Sequence, residues 1–401
     1  MQLERVRAHP GLALAVLVAA SAIVRAALSL QFETPSLLVD ELIHSELAKS
    51  LAAGGGFDVR GEHVAVSYVY PTLIAPAWWA GSIATSYGLA KVIGAVVMSL
   101  AAVPVYLWGR RLVSPLAGLA AAGLTLCLPW FVLTGTLMTE TAFFPAFVLA
   151  LFAIALALER PTLGRQALVG ATIGVATAVR FQGIVLVPIL ASAALGFALL
   201  ERRRDRLTAL WPLGAASALA ASGYAVAKLA GGESLLGLGV YAGVRRVDYS
   251  VGGQLRWLLY DAGELLLAAG LVPALALAAL LAGARTASIA DRAFIAVSVS
   301  AVVWLSLLAA VASSWEPVGI KERYTFHAIP LLLLALVAWI ARGAPRGWAA
   351  RVAALAGLGL VAALPLGRLF REPSLVGNAF GLLPFERIAS AAGGPGAARA
   401  A

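Results

Sequence analysis

Asp40, Glu41, His44 and Glu46 crowd into one short stretch, 35-PSLLVDELIHSELAKSL-51, of a chain in which 12% of side chains are charged. Carboxylates and an imidazole this close together can take a proton from a hydroxyl, hold a cation, or wet the polar side of a helix at a membrane surface. At helical spacing Asp40 shares a face with Leu37, His44, Leu47 and Leu51, which sets a carboxylate on an apolar stripe. Desolvation there raises its basicity and suits a general base. Glu41 and His44, three residues apart, also have the spacing of metal ligands. Two such residues in a chain with four histidines are a weak signal for a dedicated transition-metal site. They leave room for a loosely held divalent cation bridging carboxylates and a phosphate, so the metal question stays open and no cofactor is required.

A second acidic point is Glu140 in 136-TLMTETAFFP-145. Following Thr139, it reads either as an acid stabilised by a helix N-terminus or as a second functional carboxylate. The cations that could join these acids are Arg180 in 179-VRFQG-183, Arg245 and Arg246 ahead of 247-VDYS-250, and Lys321 and Arg323 in 321-KERYTFHAIP-330, which also holds Tyr324 and His327. Singly, each is an interfacial anchor or a lipid-headgroup contact. Together, a carboxylate base and a guanidinium clamp are what displacement from a phosphate-linked donor needs: the base takes a hydroxyl proton and the cations stabilise the departing phosphate. Tyr70 stands in 66-VSYVYPTLIAPAWWAGSIA-84, a segment suited to lining a lateral access for a lipid tail or to stacking on a sugar ring.

The elements that must position these groups are membrane spans. A chain of 401 residues with 61% hydrophobic side chains and a mean hydropathy of +0.90 is too apolar for a soluble globule. Apolar runs of roughly 17–25 residues recur along it, as polytopic α-helical membrane proteins require. Arginine clusters at Arg5/Arg7, Arg110/Arg111, Arg160/Arg165, 201–206, Arg285/Arg292 and Arg342/Arg346/Arg351 mark the inner face. An even number of crossings between clusters gives about eleven spans, near 10–30, 88–109, 114–134, 141–158, 166–179, 182–200, 207–230, 257–283, 293–313, 326–341 and 348–366. The formal charge of +10 sits in these clusters and not on one continuous face, which argues against nucleic-acid binding.

On this assignment five acids (Glu4, Glu159, Glu201, Asp205, Asp291) are inside and the other fifteen of the twenty lie at or near the outer face. The long loops 31–87, 231–256 and 314–325 are outer as well, and ordered long loops on a rigid scaffold are where function concentrates. Within 31–87, Thr34-Pro35 starts a helix and 54-GGG-56 ends it, while the Pro-rich, aromatic segment 66–84 lies in the interface without spanning. The first span is expected to be retained, with no persuasive cleavage site. Residues 1–366 form one transmembrane domain and 367–401 an outer tail, disordered over its last ten residues. One cysteine, Cys127, allows neither a disulfide nor a cysteine-based zinc site.

Asp40-Glu41 after the first span, Thr139-Glu140, 170-GATIGVATAVRFQGIVLVP-188 and the late 322-ERY followed by Pro330 together resemble the GT-C superfamily of membrane glycosyltransferases. The nearest branch is the family 39-like one, which includes protein O-mannosyltransferases and lipid A aminoarabinose transferases. The resemblance covers the first 200 or so residues well and the rest loosely. It implies a GT-C fold and inverting transfer of a hexosyl or pentosyl group from a polyprenyl-phosphate donor to a hydroxyl of a glycan, lipid or protein. The reaction would take place on the outer face of the cytoplasmic membrane. By the family pattern Asp40 is the catalytic base, Glu140 the second acid and Glu41 their support, with Arg180 and Arg323 on the donor phosphate. His44 stands where many relatives have Tyr, and Glu140 where they often have Asp. The rival class is a transporter or lipid flippase, which places ionisable residues and broken helices at the bilayer midplane in repeated halves. Arg25, Asp261 and Glu264 are the residues that fit it, and no duplicated halves are visible.

Overall fold

Each apolar run folds as helix. The computed structural model describes residues 9–32, 35, 39–64, 67–203, 205–231, 247, 249–315, 319–369 and 379–391. Its main helices are α1 Pro10–Ser29, α2 Val39–Ala52, α3 Val69–Ile74, α4 Ile83–Ser99, α5 Ala102–Leu112, α6 Pro115–Leu126, α7 Glu140–Glu159, α8 Leu163–Val179, α9 Leu186–Glu201, α10 Trp211–Ala230, α11 Val251–Ala269, α12 Leu271–Ala282 and α13 Ile289–Trp315. They continue with α14 Glu322–Ala341, α15 Trp348–Ala362 and α16 Leu383–Ala391. The regular exception among the described residues is a hairpin, β1 Asp58–Val59 with β2 Glu62–His63. Arg60 and Gly61 both take positive φ in its two-residue turn.

Among the described residues seven helices are long and apolar enough to cross a membrane, and two bent pairs bring the number to as many as nine. The shorter apolar helices α8 and α15 occupy the remaining two expected segments. Expected span 257–283 differs in kind: α11 and α12 meet at 104°. Gly270 supplies the bend with φ +80°, a region side chains disfavour, and Pro273 then withholds a backbone donor from the first turn of α12. The 114–134 segment also bends, by 58°, where Leu128 turns extended ahead of Pro129. Segment 66–84 does not span: it is α3, a 3-10 turn over Ala75–Ala80 and a left-handed Gly81.

The chain divides into two compact units, Met1–Val187 with Arg203–Ala242, and Pro188–Arg202 with Gly243–Ala401. In the first unit α7 is central, with 78% of its apolar window buried, whereas α1 and α10 each bury 6%. Leu12, Val16, Ile23, Leu219 and Val226 are accordingly exposed, a surface that suits hydrocarbon and not water. In the second unit described residues of the expected tail are packed: Leu369, Ala379 and Leu382 join Ile320 and Leu364 in one buried cluster.

Charge pairing at the helix ends follows the arginine rule. Arg111 pairs with Glu159 in the first unit. Arg292 pairs with Glu201 at 2.5 Å and Arg342 with Asp291 at 2.6 Å in the second. Each pair joins residues assigned to the inner face. Helix α7 runs 20 residues from Glu140 to Glu159, about 30 Å, so Glu140 stands a bilayer thickness from that arginine-paired end.

Candidate active site

The buried face of α2 is Glu41, His44, Leu47 and Ala48; it keeps His44 and Leu47 of the expected stripe and takes Glu41 in place of Asp40. Asp40 is exposed, not set in the apolar stripe, because tertiary partners of Glu41 select the face. Glu41 Oε1 accepts hydrogen bonds from Tyr87 Oη at 2.6 Å and from the backbone N–H of Leu137 at 3.0 Å. Tyr87 and Lys91 lie one turn apart on α4. Lys91 Nζ donates to the carbonyls of Ser29 at 2.7 Å and Phe32 at 2.5 Å, at the end of α1, and sits 4.4 Å from the centre of the Tyr87 ring. The described part of α2 begins at Val39; Thr34 and residues 36–38 lie outside the described residues.

His44 meets the edge of Tyr70 at 5.4 Å with the rings at 83°. Tyr70 is fully buried. Burial pushes its phenol well above the ordinary range, the neighbouring Thr141 hydroxyl offsets part of this, and the Glu140 and Glu41 carboxylates push further in the same direction. At neutral pH the ring therefore presents a neutral hydroxyl.

Glu140 opens α7 and is fully buried. Its partner is Arg180, which ends α8 in extended conformation and leads into a 3-10 turn over Phe181–Val185. Arg180 Nη1 lies 2.5 Å from Glu140 Oε1 and donates to Thr139 Oγ1 at 3.0 Å. The turn is folded tightly back on α8: a Cβ at Gly183 would meet the backbone N of Thr177 at 2.5 Å. Two charges taken out of water together hold each other in place only with such short contacts. Arg180, expected on a donor phosphate, thus has its nearest nitrogen committed to Glu140. Gln182, in the same turn, is buried, and its side-chain amide has no hydrogen-bond partner among the described residues.

The structure brings Glu41, His44, Tyr70, Glu140 and Arg180 into the first unit. Lys321, Arg323 and Tyr324 belong to the second. There Asp261 accepts from Ser313 Oγ at 3.0 Å and from the backbone N–H of Lys321 at 3.0 Å. Glu264 is fully buried beside Glu322, whose Oε2 accepts from the Gly381 N–H at 2.7 Å. The acid of the 322-ERY motif therefore fastens the tail. Lys321 and Tyr324 are buried and Arg323 is half-buried. Arg245 and Arg246 lie outside the described residues. Among the described residues no group of three or more His, Cys, Asp and Glu side chains could hold a metal ion.

Tyr87, Lys91, Thr139 and Gln182 were not among the expected site residues. Lys91 carried a usable signal: a charged residue inside an apolar run is functional or fastened to a partner. The role of Tyr87 depends on Glu41, 46 positions away, and has no local signature.

This helical membrane scaffold, with a loop helix after its first span, has the GT-C fold, that of a superfamily of membrane glycosyltransferases. The chain is similar to the crystal structure of ArnT from Cupriavidus metallidurans bound to undecaprenyl phosphate, with a TM-score of 0.57 and 16% identity over 94% of this chain and 68% of that one. Residues 72–226 match the family model described as dolichyl-phosphate-mannose-protein mannosyltransferase; the match takes in Tyr87, Lys91, Glu140 and Arg180 and begins after Asp40. No curated protein matches.

Proposed function

We propose that this protein is an inverting glycosyltransferase that moves a sugar from a polyprenyl-phosphate donor to a hydroxyl acceptor at the outer face of the cytoplasmic membrane. The observation that carries the reading is the 3.0 Å hydrogen bond from Leu137 N–H to Glu41. It ties the residue next to Asp40 to the chain three residues before Glu140, joining two acidic points that lie 96 or more positions apart. The ArnT neighbour's bound undecaprenyl phosphate and the mannosyltransferase model support a polyprenyl-linked donor. Orientation rests on the arginine-paired end of α7 being inner. Nucleotide sugars are made and kept in the cytosol, so an outer site needs a donor already carried across by its lipid.

In the reaction, Asp40 takes the acceptor's hydroxyl proton and the oxygen attacks the anomeric carbon opposite the phosphate. The carbon–oxygen bond to phosphate breaks with its electron pair, and polyprenyl phosphate leaves. Exposure of Asp40 at the start of α2 leaves it accessible to an incoming hydroxyl. Glu140, neutralised by Arg180, is the fixed second acid. The test supplies purified protein with labelled polyprenyl-phosphate sugars and an acceptor extract, with and without EDTA. Release of polyprenyl phosphate with inversion supports the reading, and the EDTA arm reports whether a divalent cation bridges carboxylate and phosphate.

A transporter or flippase is the second reading. It is favoured by the 104° break between α11 and α12, with Asp261 and Glu264 buried on α11. Transbilayer movement of a labelled lipid in proteoliposomes, without sugar transfer, would decide for it.

A further inference from the structure

Glu41 is an acid in the first turn of α2 that points inward and is fully buried. Stabilisation by the helix N-terminus explains an acid there but not its direction. A buried carboxylate is costly unless donors surround it, and here two converge on one oxygen: the Tyr87 hydroxyl at 2.6 Å and the Leu137 N–H at 3.0 Å. Lys91, on the same face of α4, adds positive charge near Glu41 and grips the carbonyls of Ser29, the last residue of α1, and of Phe32 beyond it. One face of α4 therefore fixes three things: where α1 ends, where α2 begins, and where the turn before Glu140 runs.

We propose that Tyr87 and Lys91 are positioning residues that act through Glu41 to hold Asp40 and Glu140 in register. Tyr87 supplies the directional hydroxyl and Lys91 the counter-charge and the anchor on α1. The proposal rests on the transferase reading for its catalytic consequence, but the geometry it claims can be measured without any substrate. Nothing in it requires Tyr87, Lys91 or Glu41 to touch donor or acceptor.

The experiment uses the full chain in nanodiscs, with spin labels at two exposed positions, Lys49 on α2 and Val132 in the turn before α7. In the parent the label–label distance distribution is expected to be narrow. In Tyr87→Phe, which removes one oxygen and retains the ring, it broadens or shifts, while Glu41→Gln, which keeps an acceptor, changes it less. In the transfer assay Tyr87→Phe lowers kcat by about 100-fold, the cost of a misplacement near 1 Å, and leaves donor KM unchanged. Combining Tyr87→Phe with Glu41→Ala, which removes the acceptor, is no worse than the poorer single variant, because both break one link. An unchanged distance distribution in Tyr87→Phe, or additive losses in the double variant, overturns the proposal. If the parent transfers no sugar yet Tyr87→Phe broadens the distribution, the positioning claim stands and the transferase reading fails.

Discussion

Replacing Arg180 with Met keeps the bulk of the side chain and removes the charge that neutralises Glu140. The two side chains are 9% and 0% exposed and meet at 2.5 Å, so solvent screening is slight on both sides. Arg180→Met leaves the buried carboxylate at the head of α7 without its guanidinium, though Thr139 Oγ1 still lies 3.4 Å from it, and breaking a buried pair this way costs about 3–5 kcal/mol. The dipole of α7 offsets part of that, up to about 2 kcal/mol in a buried setting, for an expected net loss of about 1–5 kcal/mol. Glu140→Gln in the same chain removes the stranded charge, so the double variant should recover most of the loss. A cycle of parent, two singles and double, unfolded by SDS titration in mixed micelles, reads the coupling directly. Singles and double that all lie within about 0.5 kcal/mol, the range of an ordinary surface substitution, would refute a buried, mutually dependent pair. Recovery of stability without recovery of transfer in the double variant would separate the carboxylate's chemical role from its structural one.

Gly183→Ala should destabilise by about 1–3 kcal/mol and lower transfer, because the new methyl meets backbone of Thr177 at 2.5 Å and moves the turn carrying Arg180; thermal unfolding and kcat check it. Glu264→Gln should leave stability unchanged or raise it, since two carboxyl groups buried side by side, Glu264 and Glu322, cannot both carry charge cheaply; a clear loss of stability would mean the Glu264 charge is itself held by a partner. Arg323→Ala should raise donor KM, and unchanged kinetics would remove Arg323 from the donor-phosphate assignment.

The span pattern was legible because each apolar run is long enough to commit to helix whatever its neighbours do, and the arginine clusters are written locally. The break at Gly270 was present as a Gly three residues ahead of a Pro, hidden inside a run that read as one span. Glu140 and Arg180 were visible singly, Glu140 by its Thr139 and Arg180 by its interruption of an apolar stretch. Their pairing was not, since it depends on how α7 and α8 return beside each other. The face of α2 was the harder problem. Periodicity alone allows 40, 44, 47 and 51 or 41, 44, 47 and 48, and His44 and Leu47 belong to both. Tyr87 and Leu137 decide between them from 46 and 96 positions away. The turn at Phe380–Leu382 in the tail, fixed by the Gly381 N–H on Glu322, is the same kind of long-range choice.

Asp40 is the group on which the proposed chemistry turns, and Asp40→Asn tests it most directly. Purified parent and variant, reconstituted at equal amounts, are given a radiolabelled polyprenyl-phosphate sugar and acceptor. Polyprenyl phosphate is expected from the parent and none above background from Asp40→Asn, with donor binding and unfolding midpoint unchanged. Parent-like turnover by Asp40→Asn would rule out this carboxylate as the base.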